Sequence, residues 1–138
     1  MKKRYAEVGI GGRARMYYEA LVTKYNDINE LVAFCDQSKT RMDYANSVIE
    51  SLGGKRVPEY SANEFEKMID ETKPDVIIVT TVDRTHDDYI VRAMEKGCDI
   101  ITEKPITTDE RKAQRIIDCA KKTGRHIRVT FNYRYAPF

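Results

Sequence analysis

Four consecutive apolar residues, Val76-Ile77-Ile78-Val79, follow Pro74. A strand with one wet face alternates apolar and polar residues, whereas an unbroken apolar run is what a strand buried on both faces needs. Such a strand lies inside a sheet covered by helices on either side, and the rest of the chain is patterned to supply them. Tyr5 to Gly9, Glu30 to Cys35, a short stretch near Val57, Asp99 to Thr102 and Ile127 to Phe131 read as further strands. Pro58 confines the third to a sheet edge or a strand end. Helix patterns fill the gaps, from about Arg13 to Tyr25 and from about Ser38 to Leu52, the second stopped by Gly53-Gly54. Ser61 with Glu64, Thr85 with Asp88, and Thr107 with Glu110 form capping-type pairs. They open helices that run through Asp70, to Gly97 and to Gly124. The expected inner faces are Tyr17, Ala20, Leu21 and the stem of Lys24 in the first helix. Met42, Ala45, Ile49 and Leu52 serve the second, and Ala113, Ile116, Ile117 and Ala120 the last. Strands joined in turn by helices predict an α/β fold, a doubly wound, mostly parallel six-stranded sheet in a single domain.

The length of 138 residues suits one domain with a sizeable core, and no apolar run is long enough to cross a bilayer. Tyr5 to Ile10 is too short and too glycine-bounded for a signal-peptide core, so a cytoplasmic protein is expected. The 24 basic and 22 acidic residues are interleaved, without the one-sided basic stripe of a nucleic-acid surface. Cys35, Cys98 and Cys119 lie far apart, without metal-ligand spacing, and read as reduced, buried thiols.

Gly9-Ile10-Gly11-Gly12-Arg13-Ala14 fits G-x-G-x-x-A and lies between the first strand and the first helix. In that motif the first glycine allows a tight turn and the second lets a pyrophosphate approach the backbone. The third small residue lets helix pack on strand, and the helix N-terminus attracts the phosphates. Asp36 closes the second strand about 20 residues further on, where a ribose-binding carboxylate belongs. Its carboxylate can accept from both ribose hydroxyls and would repel a 2′-phosphate, which favours NAD. Lys39 and Arg41 could each reach a phosphate, so NADP stays open.

Thr80-Thr81-Val82-Asp83-Arg84-Thr85-His86 follows the fourth strand, Thr102-Glu103-Lys104-Pro105 the fifth, and Asn132-Tyr133-Arg134-Tyr135-Ala136-Pro137 the sixth. With the glycine turn, these segments resemble the N-terminal Rossmann domain of the Gfo/Idh/MocA family, named for glucose–fructose oxidoreductase, inositol dehydrogenase and a rhizopine-catabolism protein. The resemblance spans essentially the whole chain and implies a catalytic Lys104 near the reacting carbon, donating a hydrogen bond to the substrate oxygen. It implies that Glu103 contacts the nicotinamide ribose, that Pro105 fixes the turn, and that His86 and Asn132 lie near the cofactor. Arg134 would face substrate or a partner domain. The expected dinucleotide contacts are Gly9, Gly11, Gly12, Arg13 and Ala14, then Asp36 and Arg41, then Thr80, Thr81, Asp83 and His86, and finally Glu103 and Asn132. No metal is expected. Gly9, Asp36, Thr81, Glu103 and Asn132 all fall near carboxyl ends of strands, where ligands bind in open parallel sheets.

Members of that family continue into a second α/β domain carrying most substrate contacts and the oligomer interface. A chain ending at Phe138 is therefore expected to be a truncated form or a fragment, with residues 1–138 forming the NAD(P)-binding domain. The parent is expected to be a homo-oligomeric dehydrogenase moving hydride between a nicotinamide and a sugar, inositol or related polyol. The fragment should bind a dinucleotide yet lack efficient catalysis, which needs both reactants held together. An NAD-dependent glycosidase of the same family, which Lys104 argues against, and a non-catalytic dinucleotide-binding module are the alternatives.

Overall fold

The computed structural model describes residues 2–11, 14–81, 86–103 and 110–130. The chain runs β1 (Lys3–Val8), α1 (Arg15–Val22), β2 (Asn29–Asp36), α2 (Lys39–Ser51) and β3 (Glu59–Ser61). A 3-10 turn (Ala62–Glu64) leads into α3 (Phe65–Thr72), then β4 (Val76–Val79), α4 (His86–Glu95), β5 (Asp99–Glu103), α5 (Glu110–Thr123) and β6 (Ile127–Thr130). The six strands form one sheet in the order β3-β2-β1-β4-β5-β6, and every neighbouring pair is parallel. This is the strand order of doubly wound dinucleotide-binding folds. The chain builds outward from β1 to β3, then crosses back to lay β4 on the other side of β1. That reversal opens a crevice at the carboxyl ends of β1 and β4.

Alternation of side chains along each strand feeds two separate cores. Ala6, Val8, Ile77, Val79 and Ile100 pack with Phe65, Met68, Ile90, Met94, Ile116 and Cys119 beneath α3, α4 and α5. Leu31, Phe34 and Ile78 pack on the other face with Ala14, Tyr18, Leu21, Met42, Ala45 and Ile49 of the α1 and α2 layer. All four residues of β4 are buried because each face of that strand has its own helices.

Most differences from the expected elements concern helix phase. The first helix ends at Val22 rather than Tyr25, and Tyr18, not Tyr17, takes the buried place, its ring edge-on to Phe34 at 5.3 Å. Lys24 lies past the helix end and is exposed. In α2, Asn46 and Val48 are buried, while Leu52 follows the last turn and is 38% exposed. In α5 the buried pair is Ile116 and Cys119, and Ile117 is 47% exposed. The third strand begins at Glu59 rather than near Val57, and it lies at the sheet edge as Pro58 requires. The Ser61 and Glu64 capping box is present, but it closes the 3-10 turn, and α3 continues to Thr72 before a left-handed Lys73 ends it. Thr85, Thr107 and Phe131 lie outside the described residues. The three cysteines are free and buried, and burial pushes the Cys35 and Cys98 thiols up to about 12 and about 11. Among the described residues no helix is long and apolar enough to cross a membrane.

Asn46 joins α2 to the segment that enters β3. Its Oδ1 accepts from the Val57 amide at 2.8 Å, and its Nδ2 donates to the Val57 carbonyl at 3.1 Å and to Glu59 Oε2 at 2.7 Å. Asn46→Ala strips both polar groups of Val57 of their partner. Urea denaturation should read a loss of about 1–3 kcal/mol, and an unchanged midpoint would refute this role.

Candidate functional site

The crevice at the carboxyl ends of β1 and β4 is organised by Gly9. Its φ is +84°, and a Cβ there would lie 2.5 Å from the Thr81 nitrogen, 2.6 Å from the Thr81 Cα and 2.7 Å from the Thr80 carbonyl carbon. Left-handed backbone and close approach both demand glycine. Backbone bonds from Gly9 N to the Cys35 carbonyl (2.9 Å) and from Thr80 N to the Val8 carbonyl (2.9 Å) hold the turn between β2 and β4. Thr80 Oγ1 donates to the Gly9 carbonyl at 2.7 Å. A Cβ at Gly11 would meet nothing within 4 Å, so the turn presents bare backbone to open space there. Ala14 is wholly buried where α1 meets the sheet. Among the described residues no side chain caps α1 and no acidic residue sits in its first turn, which leaves its positive end available to an anion.

Asp36, at the carboxyl end of β2, is 7% exposed. Its Oδ2 accepts from the Ile10 amide at 2.5 Å and its Oδ1 from the Ser38 amide at 2.9 Å. It therefore staples the glycine turn to the start of α2, a role the sequence reading did not assign. A carboxylate has about four lone-pair sites, so both oxygens keep accepting capacity. Lys39 is turned away from this edge, with its Nζ on Asp43 Oδ1 (3.2 Å) and Glu59 Oε1 (3.0 Å). Arg41 is exposed in the first turn of α2, and no ion pair holds it among the described residues.

The geometry matches a known sequence pattern. The profile of the oxidoreductase family Gfo/Idh/MocA, described by its NAD-binding Rossmann fold, matches residues 3–131. The chain belongs to the Gfo/Idh/MocA family. It is 31% identical over 133 residues to the D-glucoside 3-dehydrogenase of Escherichia coli, covering 96% of this chain and 36% of that protein. Glycosyl hydrolase family 109 protein 1 of Akkermansia muciniphila is 26% identical over 136 residues, covering 97% of this chain and 28% of that protein. The WlbA dehydrogenase of Chromobacterium violaceum, solved with NADH and UDP-GlcNAcA, superposes with a TM-score of 0.81 at 28% identity, over 97% of this chain and 36% of that one. The chain thus spans about a third of the length of these relatives.

Of the expected site residues in this Gfo/Idh/MocA domain, Gly9, Gly11, Ala14, Asp36, Thr80 and Thr81 gather around the β1–β4 crevice. Arg41 lies beside it at the start of α2. The backbones of His86, first in α4, and Glu103, last in β5, lie at the same carboxyl edge of the sheet. Gly12, Arg13, Asp83, Lys104, Pro105, Asn132 and Arg134 lie outside the described residues.

Sequence reasoning passed over Glu7, in the middle of β1 and wholly buried. Its Oε2 lies 3.1 Å from Thr80 Oγ1, and its Oε1 is buried with no hydrogen-bond partner among the described residues. The one available signal was a charged residue inside a strand that apolar neighbours bury on both faces. Burial pushes this carboxyl well above the ordinary range. The folded state therefore favours the protonated acid. Its contribution to stability is complete below the unfolded value of about 4.3, and is lost as pH rises through the raised folded value at about 1.4 kcal/mol per pH unit.

Two outcomes follow. Gly9→Ala should be far more destabilising in urea than Gly53→Ala. Gly53 shares a positive φ (+89°) but has open space around it, so it bears only the left-handed backbone cost of about 1–2 kcal/mol. Equal losses would mean that the contact with Thr81 is soft. Thermal melts across the weakly acid to alkaline range should show Glu7→Leu gaining stability over wild type as pH rises, and a pH-independent difference would contradict a neutral Glu7.

Proposed function

We propose that this chain is the dinucleotide-binding domain of an NAD(P)-dependent dehydrogenase acting on a sugar, inositol or related polyol, its substrate domain lying in a separate portion of the parent. The observation carrying this reading is the glycine turn itself. It combines bare backbone at Gly11, an uncapped α1 terminus and a turn held by Asp36 at the sheet's switch point. These features fit a pyrophosphate flanked by a ribose. NAD, when bound, supplies the carbon that exchanges hydride with the substrate.

The chain's own residues divide the work. Gly9 and Gly11 admit the phosphates, and Asp36 holds Ile10 while offering its remaining lone pairs to ribose hydroxyls. Thr80 and Thr81 border the crevice from β4, and family resemblance assigns Asp83, His86, Glu103 and Asn132 to the cofactor as well. The glycine motif assigns Gly12 and Arg13 to the phosphates too. By family resemblance, Lys104 donates a hydrogen bond to the substrate oxygen and eases its change of protonation. A buried carboxylate at Asp36 and the diversion of Lys39 to Asp43 and Glu59 favour NAD, and Arg41 is the remaining cation for a 2′-phosphate. The parent is read as a cytoplasmic homo-oligomer with no nucleic-acid or membrane partner.

A second reading, an NAD-dependent glycosidase, is favoured by the similarity to the Akkermansia glycosyl hydrolase family 109 protein. A glycosidase regenerates its cofactor, so net NADH formation by the parent separates the two. A cofactor-binding module without chemistry would show neither activity.

Calorimetric titration tests the cofactor assignment. NAD should bind more tightly than NADP, and Asp36→Ala should weaken NAD by roughly tenfold or more, the worth of a charge-assisted hydrogen bond. Arg41→Ala should weaken NADP alone. Tighter NADP binding would move recognition from Asp36 to Arg41.

A further inference from the structure

Glu7 sits one layer beneath the glycine turn, on the strand from which the sheet reverses. Ala6 and Val8 point into the core under α3 to α5, so Glu7 points to the opposite face. The elements packed there offer it no counter-charge among the described residues. Abreast of it are Phe34 on β2 and Ile78 on β4. Across it lie Tyr18 of α1 and Met42, Ala45 and Ile49 of α2. Arg15 and Glu19 of α1 pair with each other, and Asp36 is occupied by the Ile10 and Ser38 amides. The Tyr18 phenol is itself raised by burial.

Thr80 Oγ1 lies 2.7 Å from the Gly9 carbonyl, 3.1 Å from the Val8 carbonyl and 3.1 Å from Glu7 Oε2. A hydroxyl has one proton and can donate it once. The shortest contact places it on Gly9. The contact with Glu7 is then bonding only if the acid supplies the second proton. A neutral carboxyl does so, with Oε2–H donating to Thr80 Oγ1, and it leaves Oε1 as a carbonyl oxygen, which tolerates burial better than half of a carboxylate.

We propose that Glu7 is a positioning residue for the dinucleotide turn: as a neutral acid it donates to Thr80, Thr80 spends its own proton on the Gly9 carbonyl, and ionisation of Glu7 breaks this relay and weakens cofactor binding. The released proton goes to solvent. The carboxylate then draws the Thr80 hydroxyl to itself, and the Gly9 carbonyl loses its side-chain partner. The phosphate-facing backbone of Gly9 to Gly11 is thereby coupled to pH through a residue that touches no ligand. This rests on the reading of the turn as the dinucleotide site.

NADH binding to the protein, followed by fluorescence from weakly acid to alkaline pH, tests the relay. Wild-type affinity should fall as pH rises through the ionisation of Glu7, by roughly fivefold in total, the effect of one lost hydrogen bond. Glu7→Gln, whose amide donates to Thr80 and cannot ionise, should abolish that fall. Glu7→Leu should bind NADH roughly fivefold more weakly at pH values below the ionisation of Glu7, the effect of one lost hydrogen bond. Thr80→Val should match it, and the double variant should be no worse than either single one. A fall with rising pH that persists in Glu7→Gln, or wild-type affinity in Glu7→Leu, overturns the proposal. Hydrogen-exchange protection of the Gly9 to Gly11 amides without cofactor separates this failure from failure of the site assignment. Protection lost at high pH in wild type but not in Glu7→Gln upholds the relay even if NADH binds nowhere. No difference between them overturns it.

Discussion

The approach of the Gly9 backbone to Thr80 and Thr81 is the contact on which the site depends. At the switch point of a doubly wound sheet the loops leaving the two neighbouring strands diverge, one to each face. Here they touch, because glycine has no Cβ and its backbone is left-handed at that point. The contact fixes where β1 ends and where α1 begins, and so where the uncapped helix terminus points. It also sets Ile10 at the distance Asp36 requires. The crevice is therefore a product of one residue's missing atom, braced from β2 by a carboxylate and from β4 by a hydroxyl.

Much of this was legible in the chain. The unbroken run in β4 implied helices on both faces, and the glycine turn followed by Asp36 implied a dinucleotide site. Both signals come from local constraints, the period of a strand and the sterics of a turn. Legibility failed where an outcome depended on phase or on a partner distant in sequence. Tyr17 and Tyr18 are adjacent and chemically identical, and only the start of α1 at Arg15 decides which faces Phe34. Leu52 and Ile117 satisfy a helical spacing, yet one lies past the last turn and the other on the wet side of α5. Asn46 looks like a surface residue until Val57 is brought to it. Glu7 was hidden because apolar neighbours on both sides make the strand look complete without it. Lys104 and Asn132 were read through family resemblance, and their roles stay with the proposal.

Polar residues near the crevice fall into two kinds. Asp36 and Thr80 spend some of their hydrogen-bonding capacity on the backbone that forms the turn and keep the rest, so the groups suited to recognise a nucleotide also shape its seat. Lys39, Asp43, Glu59 and Arg56 are committed to one another across α2 and β3. That network narrows recognition by removing a lysine from the ribose edge, a negative contribution to specificity that cannot be read from the presence of the lysine alone.

The β4 run has a consequence before the fold exists. With a parallel sheet, no two neighbouring strands can pair without a long crossover, so this segment waits for distant partners while the chain is being made. From Val76 to Val82 the sequence has no charge, proline or glycine and is dominated by β-branched residues, the composition that stacks between chains when left uncovered. Asp75 and Asp83 bracket it, and Pro74 lies just beyond. Those flanking residues act as gatekeepers against self-association, guarding during synthesis the stretch that the finished sheet hides most completely.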